Sequence, residues 1–240
     1  MAEANHDPVA VIAHRGFAAR FPENTLAAFR GAVSLGAHGI ELDVRQCATG
    51  ESVVIHDATV DRVTGGEGRV ADHSLSELRD LDVLGSGESI PTLAIAFDVV
   101  PADLTLHVEL KESESIPQVV ALADERPHDV VVSSFDPDHL ARVRGQGGEQ
   151  DGPPTALLFA DDPHRHLALA TDLGCAFVHP HASLCLGTDL VERAHEADLR
   201  VNAWTLGPPG SDGNWVVTDA EAPDRLRERG IDGLIADAPV

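Results

Sequence analysis

The chain is 240 residues long, which favours one domain with a substantial core, and none of its apolar runs approaches the ~18 residues that a membrane-spanning helix needs. Forty acidic residues stand against 17 basic ones, and the formal charge of −23 sets the surface against nucleic acid and anionic membranes. The three cysteines, Cys47, Cys175 and Cys185, are odd in number and fall at no zinc or redox spacing, so small buried thiols in a reducing cytoplasm are their expected role.

The first segment, MAEANHDPVAVIAHRG, has neither a basic region nor a long apolar one, so no signal peptide is expected. Its apolar run over 9–13 reads as a strand. A helix is expected over 25–35, where Leu26, Phe29 and Val33 share a face and Asn24 or Thr25 can cap. Residues 39–44 form a second strand and 52–55 a third. Only seven residues, with Thr49-Gly50 among them, separate these two. A parallel crossover needs about a dozen or more residues, so the third run returns antiparallel as a hairpin.

Residues 57–98 fit no strand-helix unit. They hold a turn at Gly65-Gly66-Glu67-Gly68, a short helix near 75–81, and Ile90-Pro91-Thr92-Leu93, and are expected to be an insertion. Six further strands follow, at 104–110, 130–134, 155–159, 176–179, 200–205 and 233–236. Helix patterns at 116–125, 137–144, 163–173, 188–197 and 220–229 separate most of them. The Gly- and Pro-rich stretch 206–214 reads as a loop. Alternating strand and helix means a parallel sheet. With the hairpin strand set aside, eight strands remain, and the expected fold is an α/β, (β/α)₈ TIM barrel. It is read as a single domain over 1–240, with 57–98 lying over its mouth.

Chemistry-bearing residues collect at one end of that barrel. Strand alternation puts Glu41 and Asp43 on one face, and likewise Glu109 and Lys111. Read singly, each acid also fits a salt-bridged or solvated strand end. Three ionised carboxylates facing a barrel interior would repel and lose solvation unless paired or metal-bound. All-oxygen ligation of this kind suits one hard divalent cation, Ca²⁺ or Mg²⁺. His14 ends the first strand, and the hairpin returns His56 to the same end, where active sites of this fold lie. Phosphodiester cleavage needs a base for the nucleophile and an acid for the leaving alkoxide, and histidine titrates in the right range. Arg15 and Lys111, the only lysine, suit phosphate oxygens, although Lys111 also fits a simple ion pair with Glu109 or Asp43. His179 and His181 share a strand face and are expected to be structural, while His164 and His166 are expected to face solvent.

In order, the motifs are His14-Arg15-Gly16, Pro22-Glu23-Asn24-Thr25, Glu41-Leu42-Asp43, His56-Asp57 and Glu109-Leu110-Lys111. Ser134-Phe135, His179-Pro180, Trp204-Thr205 and Gly230-Ile231-Asp232-Gly233 follow. This series resembles the glycerophosphodiester phosphodiesterase family over nearly the whole chain. The resemblance implies hydrolysis of a small-molecule glycerophosphodiester to glycerol phosphate and an alcohol. It implies a divalent metal on Glu41, Asp43 and Glu109, acid/base roles for His14 and His56, and phosphate contacts from Arg15 and Lys111. Glu23 and Asn24 would order the site edge, and Phe135 and Trp204 would line the pocket for the glycerol moiety. Two features depart from the family's usual pattern: the run Leu206-Gly207-Pro208-Pro209-Gly210 and the ending Ala236-Asp237-Ala238-Pro239. Two rival readings use the same residues, cleavage of intact phospholipid and a non-catalytic phosphate-ester-binding module. The acidic composition and few aromatics speak against the lipid reading, with no stable membrane association expected, and the intact set of catalytic positions speaks against the module. Dense carboxylate with one lysine also resembles proteins adapted to high salt, giving the expectation of a halophilic cytoplasm.

Overall fold

A computed structural model describes residues 9–146, 152–208 and 216–240. Eight parallel strands close into a barrel: β1 (Ala10–His14), β2 (Gly39–Gln46), β4 (Thr105–Leu110), β5 (Val130–Ser134), β6 (Thr155–Phe159), β7 (Phe177–Pro180), β8 (Arg200–Leu206) and β9 (Gly233–Ala236). Strand β1 closes the ring by pairing with both β2 and β9. Strand β3 (Ser52–Val54) pairs antiparallel with β2, Val44 opposite Val54, as the seven-residue connection requires.

Each strand sends one set of side chains outward and one inward. Ile40, Leu42 and Val44 of β2 and Leu106, Val108 and Leu110 of β4 join one apolar cluster with α1 (Leu26–Ser34), α3 (Leu93–Val99) and α4 (Ile116–Glu125). A second cluster packs β6 to β9 against α5 (Pro137–Gln146), α6 (Pro163–Asp172), α7 (Ala182–Gly187), α8 (Leu190–Glu196) and α9 (Ala222–Glu228). The inward set is different. The alternate residues of β2 and β4 are Glu41, Asp43, His107 and Glu109, all buried. A small apolar cluster of Val131, Ala156 and Phe177 on β5 to β7 fills part of the interior, and Leu158 and Ile235 face a cavity at the C-terminal end. The barrel's outer surface therefore carries most of the fold's apolar burial, and its upper interior sets polar groups beside a few apolar ones.

The segment after β3 has an apolar cluster of its own, built from Cys47, Val53, Ile55, Val60, Val63, Val70, Leu78, Val83 and Ile90. Helix α2 (Leu75–Arg79) closes it, with a capping box between Ser74 and Glu77. Glu88 accepts a hydrogen bond from the Ala27 backbone N–H (3.2 Å), which ties the segment to the first turn of α1.

The expectation of irregular chain through residue 98 is corrected at its far end. Leu93–Val99 is the barrel's own helix after β2, capped by Thr92 and packed on α1 and β3. Thr25, not Asn24, caps α1. Helix α7 was not foreseen: Ala182–Gly187 is short and capped by His181. His166 is also corrected, because its ring stacks on Phe159 at 4.9 Å and is largely covered. Of the expected loop over 206–214, Leu206 belongs to β8, and residues 209–214 lie outside the described residues.

Candidate active site

The C-terminal mouth of the barrel holds a cavity of about 670 Å³. Among its lining residues are His14, Arg15, Glu23, Glu41, His56, Glu109, Lys111, Phe135 and Trp204, nine of the eleven residues expected from the sequence. The other two, Asn24 and Asp43, lie just behind and are buried.

Local backbone geometry explains the His-Arg-Gly turn. Arg15, Gly16 and Phe17 all have positive φ, as does Asn24. A Cβ on Gly16 would stand 2.7 Å from the Ala28 Cβ, so only glycine lets this turn lie against α1. The turn aims Arg15 back over the mouth. Its backbone N–H donates to Glu41 Oε2 (3.0 Å), its Nη1 to Glu23 Oε1 (3.0 Å), and its Nε lies 3.1 Å from Asp43 Oδ2. The Asn24 amide donates to Asp43 Oδ2 (2.8 Å) and accepts from the Asp43 N–H (3.4 Å), a two-point clamp between the turn and β2.

Each histidine is fixed through Nδ1. His14 Nδ1 lies 2.6 Å from Asp237 Oδ1, and His56 Nδ1 lies 2.6 Å from Asp57 Oδ1. An ionised carboxylate at Nδ1 accepts its proton and leaves Nε2 as the working nitrogen. Burial and the Arg15 charge disfavour the His14 imidazolium, but the Asp237 hydrogen bond and the charges of Glu41 and Asp237 outweigh them and raise its pKa. For His56, burial leads, with Arg15 and Lys111 adding to it, and the pKa is lowered despite Asp43 and Asp57. The two imidazoles are thus shifted in opposite directions from the ordinary histidine value.

Oxygens of Glu41, Asp43 and Glu109 approach within 4.8 Å of one another, all three side chains buried. Burial first, then Asp43 and Glu109, push the Glu41 carboxyl up to about 8, despite His14 and Arg15. Glu109 is raised by burial and by Asp43 against the pull of Lys111 and Arg15. Asp43 is held well below the usual range, because Lys111 and Arg15 with both histidines overcome its burial. Two of three clustered carboxyls thus resist ionisation. A hard divalent cation would relieve this, so the donor set fits one. Lys111 Nζ bridges Asp43 Oδ1 (2.9 Å) and Glu109 Oε1, the ion pair that the sequence left as its alternative.

Phe135 and Trp204 meet edge to face at 5.5 Å on the far wall, and the Trp204 Nε1–H is tied to the His179 carbonyl (2.7 Å). Below the mouth, His107 and His179 lie 5.6 Å apart between ring centres. His179 also touches the Asn202 amide (3.1 Å). Burial holds the His107 imidazole down to about 3 and the His179 imidazole well below its usual value, so both are neutral. His181 bonds Ser183 Oγ (2.7 Å), a structural role as expected.

Sequence reasoning missed Asp237 and Arg62. Asp237 directly follows the end of β9, a position that reads as functional in this fold. Arg62, on the segment after β3, also lines the cavity, and no sequence signal marked it.

A profile of the Glycerophosphoryl diester phosphodiesterase family matches residues 14–240. The chain is 34% identical over 261 aligned residues to a glycerophosphodiester phosphodiesterase of Caldanaerobacter subterraneus, covering 95% of this chain and 94% of that one. Among solved structures it is similar to an Oleispira antarctica phosphodiesterase in complex with the product sn-glycerol-3-phosphate, with TM-score 0.84, 28% identity, and coverage of 97% and 94%. It is also similar to a glycerophosphodiester phosphodiesterase of Thermotoga maritima, with TM-score 0.80, 28% identity, and coverage of 97% and 96%.

Proposed function

From its membership of the glycerophosphoryl diester phosphodiesterase family, a family of phosphoric diester hydrolases to which this chain belongs, we propose that it cleaves glycerophosphodiesters to glycerol phosphate and an alcohol by two-histidine acid/base catalysis. One observation carries this reading. Two imidazoles, each anchored at Nδ1 by a carboxylate 2.6 Å away, line one cavity with Glu41, Glu109, Arg15 and Lys111, and Asp43 completes the carboxylate cluster just behind. One Nε2 removes the proton of the attacking hydroxyl, and the other protonates the leaving oxygen. Arg15 and Lys111 face the negative charge that develops on the phosphate oxygens. Glu41, Asp43 and Glu109 would hold one Ca²⁺ or Mg²⁺, which supplies Lewis-acid polarisation of a phosphate oxygen when bound. Glu23 and Asn24 hold the Arg15 turn in place, and Phe135 and Trp204 exclude water beside the glycerol moiety. A panel of glycerophosphodiesters assayed for glycerol phosphate release with Ca²⁺ and Mg²⁺ tests the reading. Release from none of them would overturn it.

Asp237→Asn should lower the pKa of His14, because the hydrogen bond and the charge that raise it are lost. The limb of the bell-shaped kcat/KM profile set by His14 should then move to lower pH. An unmoved profile would remove Asp237 from the acid/base pair.

The three cysteines are free and buried, and among the described residues no helix is long and apolar enough to cross a membrane. The free thiols support a cytoplasmic setting, the one closed barrel supports a single domain, and the charge of −23 disfavours stable membrane or nucleic-acid contacts. The same charge favours a halophilic setting. Raising salt from about 0.1 M to about 1 M shortens the screening length from ~10 to ~3 Å, so Tm and turnover should rise together. Equal stability and activity without added salt would rule this out.

A further inference from the structure

Arg62 stands on the segment after β3 and reaches both halves of the site. Its backbone is pinned on either side. Val60 and Val63 are buried in the segment's own apolar cluster. The Val60 N–H donates to Gly68 O (3.0 Å), and the Leu84 N–H to Val63 O (2.8 Å). The guanidinium fork then meets two carboxylates. Nε donates to Asp57 Oδ2 (2.5 Å), while Nη1 and Nη2 donate to Glu23 Oε2 and Oε1, both at 2.8 Å. Each carboxylate has a second duty. Asp57 Oδ1 holds His56 Nδ1, and Glu23 Oε1 holds Arg15 Nη1.

We propose that Arg62 is a positioning residue that fixes the imidazole of His56, through Asp57, relative to the guanidinium of Arg15, through Glu23. The proposal rests on the roles given above to His56 and Arg15. All three nitrogens of the Arg62 fork donate to Asp57 and Glu23, so its directional bonds are committed to these two side chains. Bidentate contact to Glu23 gives it a fixed plane, which a point charge would not. Both acids are held ionised: burial disfavours the charge on each, and Arg62 and its neighbours outweigh it, bringing Asp57 down to about 2 and Glu23 below its ordinary value. Arg62 itself is half exposed at 47%, so its replacement opens no buried cavity.

The test compares Arg62→Gln, Arg62→Lys, Asp57→Asn and the Arg62→Gln/Asp57→Asn pair, using glycerophosphodiesters and bis(4-nitrophenyl) phosphate. Arg62→Gln should lower kcat by about 10–100-fold with KM nearly unchanged, the size typical of a group that orients a working residue. Arg62→Lys should recover only part of that loss. The pair should be scarcely worse than Arg62→Gln alone, because both changes break one chain of contacts. A raised KM with kcat intact would make Arg62 a substrate contact and overturn the proposal. Full activity in Arg62→Lys, or losses that multiply in the pair, would overturn it too. The comparison uses whichever phosphodiester the unmodified protein cleaves, so failure on glycerophosphodiesters counts against the proposed function alone. If none is cleaved, backbone hydrogen exchange decides. Faster exchange in Arg62→Gln across both 15–24 and 56–62 supports the strut, and unchanged exchange overturns it.

Discussion

Replacing His14 or His56 with alanine should reduce kcat on a glycerophosphodiester by roughly 10²–10⁴-fold, the usual contribution of one acid or base. Each tenfold is about 1.4 kcal/mol of transition-state stabilisation. The loss should fall on kcat more than KM, because neither imidazole is assigned to hold the ground-state phosphate. Folding should survive, since both side chains lie at the mouth rather than in an apolar cluster, 17% and 34% exposed. His14→Ala leaves Asp237 without its partner at 13% exposure, where water can replace the lost contact. The double variant should be little worse than the poorer single one, because two proton transfers that serve one bond cleavage do not act independently. Near-normal turnover in either single variant would remove that histidine from the mechanism.

Chelation with EDTA should abolish turnover, and Ca²⁺ or Mg²⁺ should restore it. The carboxylate cluster also gives a readout independent of activity. The Glu41 carboxyl is raised from 4.5 to about 8 in the metal-free protein, first by burial and then by Asp43 and Glu109. A raised folded-state value stabilises fully below the unfolded value and loses that contribution as pH climbs through about 8. Asp43, held low by Lys111 and Arg15 against burial, acts in the opposite window and loses its contribution only in strong acid. A bound cation takes the place of the Glu41 proton, so the Tm gain on adding metal should be small near pH 5 and grow toward pH 8. Glu109→Gln should shrink that gain. Turnover that persists in EDTA, or a Tm indifferent to metal at pH 8, would exclude a metal at Glu41, Asp43 and Glu109.

Much of this site was legible because barrel chemistry leaves a periodic trace. In Glu41-Leu42-Asp43 and Glu109-Leu110-Lys111, the leucines serve the outer cluster and the charged residues line up at the site, so alternation revealed the inward face directly. Loop length alone made β3 antiparallel and returned His56 to the mouth. What escaped was set by contacts between segments distant in sequence. Asp237 lies 223 residues from His14, and Arg62 lies 39 from Glu23, and no local pattern joins either pair. Helix α3 was hidden by its approach, since Pro91 favours extended chain before it and only Thr92 signals its start. Lys111 showed the opposite limit. The sequence offered it an ion pair with Glu109 or Asp43, and geometry shows that it bridges both.

Strand β3 hydrogen-bonds to β2 but takes no part in closing the ring. The three clustered carboxylates stand on ring strands, whereas His56 rides on this appended hairpin. The ring is complete before the hairpin is counted, because β2 already pairs with β1 and β4. The carboxylate cluster and the histidine proposed for one of the two proton transfers therefore sit on separable pieces of chain. Insertions and deletions between β3 and α3 can alter what surrounds His56 without changing the stagger of the eight strands. New leaving-group preferences can arise in that segment while the carboxylate cradle keeps its geometry.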